Sequence, residues 1–337
     1  MYYFIMPSRD IRDNLATEQY LTESKDFDAP LVLFYIQKPC IIVGRNQNTV
    51  EELNNEYVRA HNITVTRRVS GGGGIYDDLG NLCFSFVIDA HNEQFGNFQQ
   101  IVQPIVSALH RLGATEAKVS GRNDITINGK KFSGNAMYTK NGKTFSHGTL
   151  SYNVDLDVLS KALRVPKDKI QSKGIKSIRS RVTNIRPYLD LKYQNLTTEQ
   201  FRDVLLLSLF QAQSLDEIKD HEYQLTVADQ AAIDALKTKY YYNWDWVYGK
   251  SPEFTVQKRH HFAMGTIDAR IRVEHGKITA IRFYGDFFGT EDVSQLEQKL
   301  MGVNYDYQAL QEIFNSNDLN QYFTGIKAKE VLDLLAP

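Results

Sequence analysis

The order of elements in this chain predicts an α+β fold, with a mixed, largely antiparallel sheet and helices, followed by a small α+β C-terminal unit. Asn-Gly pairs at 128–129 and 141–142 stand between alternating apolar residues, the strongest short-range hairpin signal. Hairpins are mixed with long helical periodicities, which disfavours a doubly wound parallel sheet. The composition then shifts at YYYNWDWVYGKSPEF, an aromatic run ending in Gly-Lys-Ser-Pro, and places a domain boundary near 250, dividing the chain into 1–249 and 250–337.

The segments LVLFYI (31–36) and CIIVG (40–44) read as two strands. TVEELNNEYVRAHN (49–62) reads as one helix: Thr49 and Glu52 have capping-box spacing, and Val50, Leu53 and Tyr57 share a face. ITVTRRV (63–69) is a strand, followed by the glycine run and a further strand, LCFSFVI (82–88). Phe95, Phe98, Val102, Ile105, Val106 and Leu109 recur at helical spacing. Residues 117–153 form an antiparallel meander around the two Asn-Gly turns, and helices are expected near 155–164, 198–212 and 226–239. Beyond the aromatic run, TVQKRHHFAMG, TIDARIRVEHGKITAIRFYG and two amphipathic helices make up the small unit.

A formal net charge of −1 argues against a bulk attraction to nucleic acid. Cys40 and Cys83 both stand in apolar runs and read as buried thiols in a reducing compartment. The start MYYFIMPSRD is too short and too weakly basic for a signal peptide, and no apolar run approaches the ~18 residues of a membrane span. A cytoplasmic protein with no nucleic-acid or membrane partner is therefore expected. The histidines and cysteines lack metal-ligand spacing, so no metal site is assigned.

Three clusters carry candidate chemistry. In RRVSGGGGIYDDLGN (67–81), glycines without Cβ atoms let backbone N–H groups approach an anion, and Arg67 and Arg68 stand beside them. A purely structural turn explains four glycines equally well. The stretch has neither the GK[ST] of a Walker loop nor the helix-opening GxGxxG of a dinucleotide fold. The second cluster, SGRNDITINGKKFSGNAMYTKNGKTFSHGTL (120–150), places Lys130 and Lys131 on opposite faces of one strand. One is solvated, and the other, turned inward, needs an anionic partner such as a phosphate or carboxylate. His147 on an alternating strand serves equally well as a core histidine. The third cluster, IQSKGIKSIRSRVTNIR (170–186), holds Lys173, Lys176, Arg179 and Arg181 with no acid, and reads either as a solvated loop or as a contact for phosphates or an acidic partner.

Together, in this order, RRVSGGGGIYDDLGN, SGRNDI…GKKFSGNA, HGTL and KGIKSIRSRVTNI resemble the lipoate–protein ligase A family over nearly the whole chain, and the part from about Tyr242 resembles the accessory domain of its longer bacterial members. The resemblance implies the biotinyl/lipoyl protein ligase fold and a two-step reaction. Lipoate (or octanoate) and Mg-ATP give an acyl-AMP and pyrophosphate. The acyl group then passes to one lysine of a lipoyl domain, in a 2-oxoacid dehydrogenase complex or the glycine-cleavage H protein. It implies nucleotide binding by Arg68, Gly73, Gly74, Ile75, Tyr76 and Lys131, with Asn123 and Asp124 near the phosphates or magnesium. Lys131 would also meet the lipoyl carboxyl, and Ser70, Gly71 and His147 would line the acyl slot. Lys173, Lys176, Arg179 and Arg181 would serve the adenylate or the acceptor. The chain departs from the family pattern at Asp77, where histidine is usual, and at Gly74, where alanine is usual. Three other readings remain: an ATP-independent acyltransferase of the same fold, a non-catalytic lipoyl-domain binder, and a biotin ligase, which lacks its GRGRxG-type loop here.

Overall fold

The computed structural model describes residues 1–25, 27–89, 97–121, 123–163, 181–248 and 256–336. Its main sheet has seven strands: β1 (Tyr2–Ile5), β2 (Leu31–Tyr35), β6 (Asn81–Asp89), β7 (Lys118–Ser120), β8 (Asp124–Ile127), β9 (Lys130–Lys140) and β10 (Lys143–Ser151). They run in the order β1-β2-β6-β10-β9-β8-β7. Only β1 and β2 pair in parallel. A second, three-stranded sheet places β3 (Cys40–Val43) between β4 (Thr64–Arg67), its parallel neighbour, and β5 (Ile75–Asp77), its antiparallel neighbour. The expected α+β architecture with a mixed, largely antiparallel sheet is what the chain forms.

The two Asn-Gly turns behave as their chemistry requires. Asn128 and Gly129 have φ of 50° and 74°, and Asn141 and Gly142 have 52° and 74°. Both central residues are left-handed, the twist that matches a two-residue hairpin. One side of the main sheet packs against helices Phe98–Arg111 and Thr198–Phe210 through Val102, Ile105, Leu109, Phe201 and Leu205. The other side packs against helix Ile11–Ser24 through Leu15 and Leu21, with Ile233 of helix Val227–Leu236 and Tyr241 completing that layer.

The helix expected over 49–62 is two short helices, Thr49–Glu52 and Asn55–Ala60. Leu53 between them is extended and bridges Leu163, and the Asn54 side chain caps the second helix by accepting from the Tyr57 N–H. Thr49 does not form a capping box, because tertiary contacts take its hydroxyl. Its Oγ1 accepts from Arg67 at 2.6 Å and donates to the Val247 carbonyl.

The third sheet, β11 (Val256–Phe262), β12 (Gly265–Glu274) and β13 (Lys277–Gly285), is antiparallel throughout. It packs with helices Val293–Leu300, Tyr307–Asn315 and Ala328–Leu335 around its own cluster of Ile267, Ala269, Ile271, Phe283, Leu296 and Phe323. The boundary expected near 250 falls in 249–255, outside the described residues. The end of β13 and the segment after it reach back to the main body. Gly285 N donates to the Asn46 carbonyl at 2.6 Å, Arg45 pairs with Asp292, and the Phe288 ring lies 5.9 Å from that of Phe98.

Candidate active site

The glycine run connects β4 to β5, and the two arginines before it hold it in shape. The Arg67 guanidinium is buried and donates to the carbonyls of Gly44, Arg45 and Gln47 at 2.7–2.9 Å, to Thr49, and to the carbonyls of Trp246 and Val247. The Arg68 guanidinium folds back on the loop, donating to the carbonyls of Gly71 at 2.7 Å and Gly73 at 2.8 Å, to Ser70 Oγ and to the Ile42 carbonyl. Burial pushes each of them down to about 10, so both stay protonated at neutral pH. The guanidinium forks thus engage loop carbonyls rather than open solvent, which is work that a compact ammonium does less well. Gly72, at φ 91°, needs the freedom of a residue without Cβ. A Cβ at Gly71 would stand 2.5 Å from the Phe287 carbonyl oxygen, so the absent side chain is what lets the segment after β13 close on the loop.

Lys131 is placed by an irregularity. The β8–β9 register slips between Ile125 and Thr126, so that Ile125 faces Ser133 while Thr126 faces Lys131. Such bulges re-aim a side chain near a functional site. Lys130 is exposed, and Lys131, on the opposite face, is partly buried with its Nζ 2.7 Å from Asp124 Oδ1. Both side chains of that pair are more than a third exposed, at 39% and 36%, so the pair is worth about 1 kcal/mol or less and can yield to a stronger anion.

Two cavities meet at Lys131. They share Gly73, Gly74, Ile75, Lys131, Gly134 and Thr149. The inner one runs on to Leu15, Tyr35, Ile42, Cys83, Ala136 and His147, a largely apolar slot, with Arg68 and Asn123 also on its wall. The outer one opens onto Tyr76, Asp77, Asp124, Thr126, Leu159 and Arg181. Most of the residues expected from sequence are thereby brought to one place. Ser70 and Gly71 stand a step behind the inner wall. Ser70 reaches it through a 2.7 Å hydrogen bond with His147 Nε2, and Gly71 lies under Phe287 and Phe288. Lys173, Lys176 and Arg179 lie outside the described residues.

Glu18 is a member of this site that motif reading missed. Its Oε2 lies 2.9 Å from His147 Nδ1, its Oε1 accepts from the Tyr35 hydroxyl at 3.3 Å, and it is 1% exposed. The chain Glu18–His147–Ser70–Arg68 ties helix Ile11–Ser24 to the glycine loop through the slot wall. A signal was present in the sequence: Ile11, Leu15 and Glu18 follow at i, i+4 and i+7, so the acid stands on the stripe that a helix buries.

Cys40 and Cys83 are free, buried, and raised well above the ordinary thiol range by that burial. Cys83 nevertheless forms part of the slot wall, which the expectation of a plain core thiol did not foresee. Its Sγ–H points to Asp77 Oδ2 at 3.3 Å, and Gln37 Nε2 donates to the same oxygen at 2.6 Å. Burial raises the Asp77 carboxyl from 3.8 to about 7. The fixed negative charge implied by exchanging histidine for aspartate is therefore only partly present near neutrality. Because the folded chain binds this proton more tightly than the unfolded one, stability falls as pH rises from about 4 to about 7 and stays lower above that. Asp77→Asn is expected to flatten the fall and to raise the thermal midpoint most above pH 7. Parallel melting curves of the two proteins that differ by a constant amount across that range would refute this.

A family model of the lipoyl protein ligase A/B catalytic domain matches residues 10–210, and one of the bacterial lipoate protein ligase C-terminus matches residues 251–335. The chain belongs to the lipoate–protein ligase family. It is 44% identical to lipoate–protein ligase LplJ of Bacillus subtilis over 97% of each chain, and 42% identical to lipoate–protein ligase 1 of Staphylococcus aureus over 96% of each. Among solved structures, lipoate-bound LipL1 of P. falciparum shares the fold with a TM-score of 0.75 at 24% identity, covering 98% of this chain and 97% of that one. The bipartite lipoate protein ligase of Thermoplasma acidophilum, solved in a study of that ligase and its E2 lipoyl domain, is 27% identical with a TM-score of 0.62, covering 75% of this chain and 98% of the other. Ligation of lipoate to protein is the activity of these lipoate–protein ligases. Within this one, the two cavities meet with the Lys131 ammonium at their junction. Among the described residues no cluster of three or more potential metal ligands occurs, and no helix is long and apolar enough to cross a membrane.

Proposed function

We propose that this chain activates free lipoate with ATP and passes the lipoyl group to a lysine of a lipoyl domain, and that the position of Lys131 between the two cavities carries the reading. The acyl chain occupies the inner slot with its carboxylate toward Lys131. The triphosphate occupies the outer cavity, magnesium entering with it as part of the substrate. A carboxylate oxygen attacks the α-phosphorus while the bond to the pyrophosphate oxygen breaks. Two anions must meet, and a fixed ammonium between them offsets the repulsion and stabilises charge in the transition state. Asp124 holds Lys131 until an anion displaces it. The backbone of Gly73 and Gly74, kept in place by Arg68, lines both cavities and holds the reactants in register. The acceptor amine then attacks the acyl carbon and AMP leaves, with the amine proton passing to solvent.

In this reading Asn123, Ile75 and Tyr76 contact the nucleotide, His147 closes the acyl slot with Ser70 and Gly71 supporting it, and Arg181, at the outer rim, serves the adenylate or the acceptor together with Lys173, Lys176 and Arg179. Residues 1–249 form the catalytic domain and 250–337 the accessory domain. The glycine-cleavage H protein is a further acceptor, octanoate is an alternative acid, and the enzyme works in the cytoplasm.

The deciding experiment mixes the protein with ATP and lipoate in the absence of any acceptor. Pyrophosphate release is expected, and so is its persistence in a Cys40→Ser, Cys83→Ser variant, since neither thiol has the cationic setting that makes a nucleophile. Acyl transfer from an octanoylated carrier without ATP, lost in the folded double variant, would replace the ligase reading with that of a thioester enzyme.

A further inference from the structure

Thr149 stands at the junction of the two cavities and has no part in the chemistry described so far. It lines both of them, as Lys131 does. On β10 it is two residues from His147, and so on the same face of the strand, the one turned to the acyl slot. It lies directly opposite Cys83 of β6. Toward β9 the ladder has just ended, at the pair Gly148 and Asn135, while Gly134 pairs onward with Asp124 of β8. Gly134 and Thr149, the next residues on either side of that end, both line the two cavities.

Gly134 links Thr149 to Lys131. A Cβ at Gly134 would stand 2.8 Å from Lys131 Nζ and 3.0 Å from its Cε, so a side chain there displaces the ammonium. The Gly134 N–H donates to Thr149 Oγ1 at 3.3 Å. That is long for an N–H donor, and it holds the two strands together only weakly. Among the described residues it is the one hydrogen bond of this hydroxyl, and it occupies an oxygen lone pair. The O–H hydrogen is left to turn toward an acceptor. Packing alone at this position is met by valine, which has the same shape and no polar atom. A spare donor beside a fixed ammonium, at the mouth of an apolar slot, points to a ligand oxygen at the junction.

We propose that Thr149 is a further catalytic residue, whose hydroxyl donates to the acyl oxygen that does not attack phosphorus. This rests on the ligase reading. In the first step the bond orients the carboxylate and leaves its second oxygen facing the α-phosphorus. In the second step the amine nitrogen bonds to the acyl carbon and the carbonyl electron pair moves onto the oxygen that Thr149 holds. The pair then returns, the acyl C–O bond to AMP breaks with its electrons on the phosphate oxygen, and the amine proton leaves to solvent. A preorganised donor contributes most where charge develops, so Thr149 serves transfer more than activation.

The test compares Thr149→Val, which keeps the shape and removes the donor, with Thr149→Ser, which keeps the donor. Each protein is loaded with preformed lipoyl-AMP and mixed with a saturating apo lipoyl domain of a 2-oxoacid dehydrogenase complex, and single-turnover lipoylation is followed. The rate constant is expected to fall about 10²-fold in the valine variant, and the serine variant is expected to recover most of the loss. Acceptor-free pyrophosphate release from ATP and lipoate is expected to fall less than transfer does. A folded valine variant that transfers as fast as the parent overturns the proposal. An equal loss in both steps also overturns it, since the hydroxyl then only holds Gly134 beneath Lys131, and so does a serine variant no faster than the valine one. Should the parent release no pyrophosphate, the ligase reading falls by itself, and transfer from preformed lipoyl-AMP still decides the role of Thr149. A parent that does not transfer from it either overturns both.

Discussion

Lys131→Ala is expected to lower acceptor-free pyrophosphate release by roughly 10²–10³, or about 3–4 kcal/mol of transition-state stabilisation, while Lys130→Ala leaves it nearly unchanged. The two residues are neighbours in sequence with the same formal charge, so bulk electrostatics predicts equal effects. Geometry predicts the contrast. Lys130 is exposed at the hairpin end, whereas the strand bulge turns Lys131 to the junction of the two cavities. Its main-chain carbonyl accepts from Thr183 N at 2.8 Å, so the backbone beneath the ammonium is itself fixed. The present partner, Asp124, does not compete strongly, because the pair is partly solvated. Asp124→Asn is therefore a useful control that leaves the lysine in place. If alanine at 130 and at 131 slowed pyrophosphate release alike, the facing argument would fail.

The elements legible in the sequence are those whose chemistry is local. Asn128-Gly129 and Asn141-Gly142 carry the left-handed turns in their residue types, and Val102, Ile105 and Leu109 carry their helix in their spacing. The parity of Lys130 and Lys131 likewise separates solvent from site without any long-range information. What was not legible depends on partners far away in the chain. Thr49 looks like a cap in sequence but is engaged by Arg67 and Val247, and the helix it opens stops at Leu53, which bridges Leu163. Glu18 joins the site only because helix Ile11–Ser24 packs across the sheet to face His147 on β10. The arginines showed the same limit. Beside a glycine run they read as anion ligands, and only the fold reveals that loop carbonyls already occupy them.

Arg67→Ala is expected to cost about 3–4 kcal/mol of stability, the largest loss of any single substitution considered, and to lower the thermal midpoint accordingly. One guanidinium ties together three stretches: the turn after β3 at Gly44–Gln47, the end of β4 itself, and the Trp246–Val247 segment that leads toward the third sheet. The tie is reciprocal, since Trp246 Nε1 donates to the Arg67 carbonyl at 3.0 Å. Truncation leaves buried carbonyls without donors, and a net hydrogen bond to a charged group is worth about 1.5–3 kcal/mol, so partial rehydration of the gap reduces the damage without abolishing it. Lysine is expected to restore only part, because it offers three donors on one atom in place of a planar fork. The effect on chemistry should differ from that at Lys131. Arg67 lines neither cavity, so pyrophosphate release per folded molecule, measured well below the melting range, should fall far less in Arg67→Ala than in Lys131→Ala. A variant that melts with the parent yet releases no pyrophosphate would mean that Arg67 acts on substrate rather than on the loop that holds it.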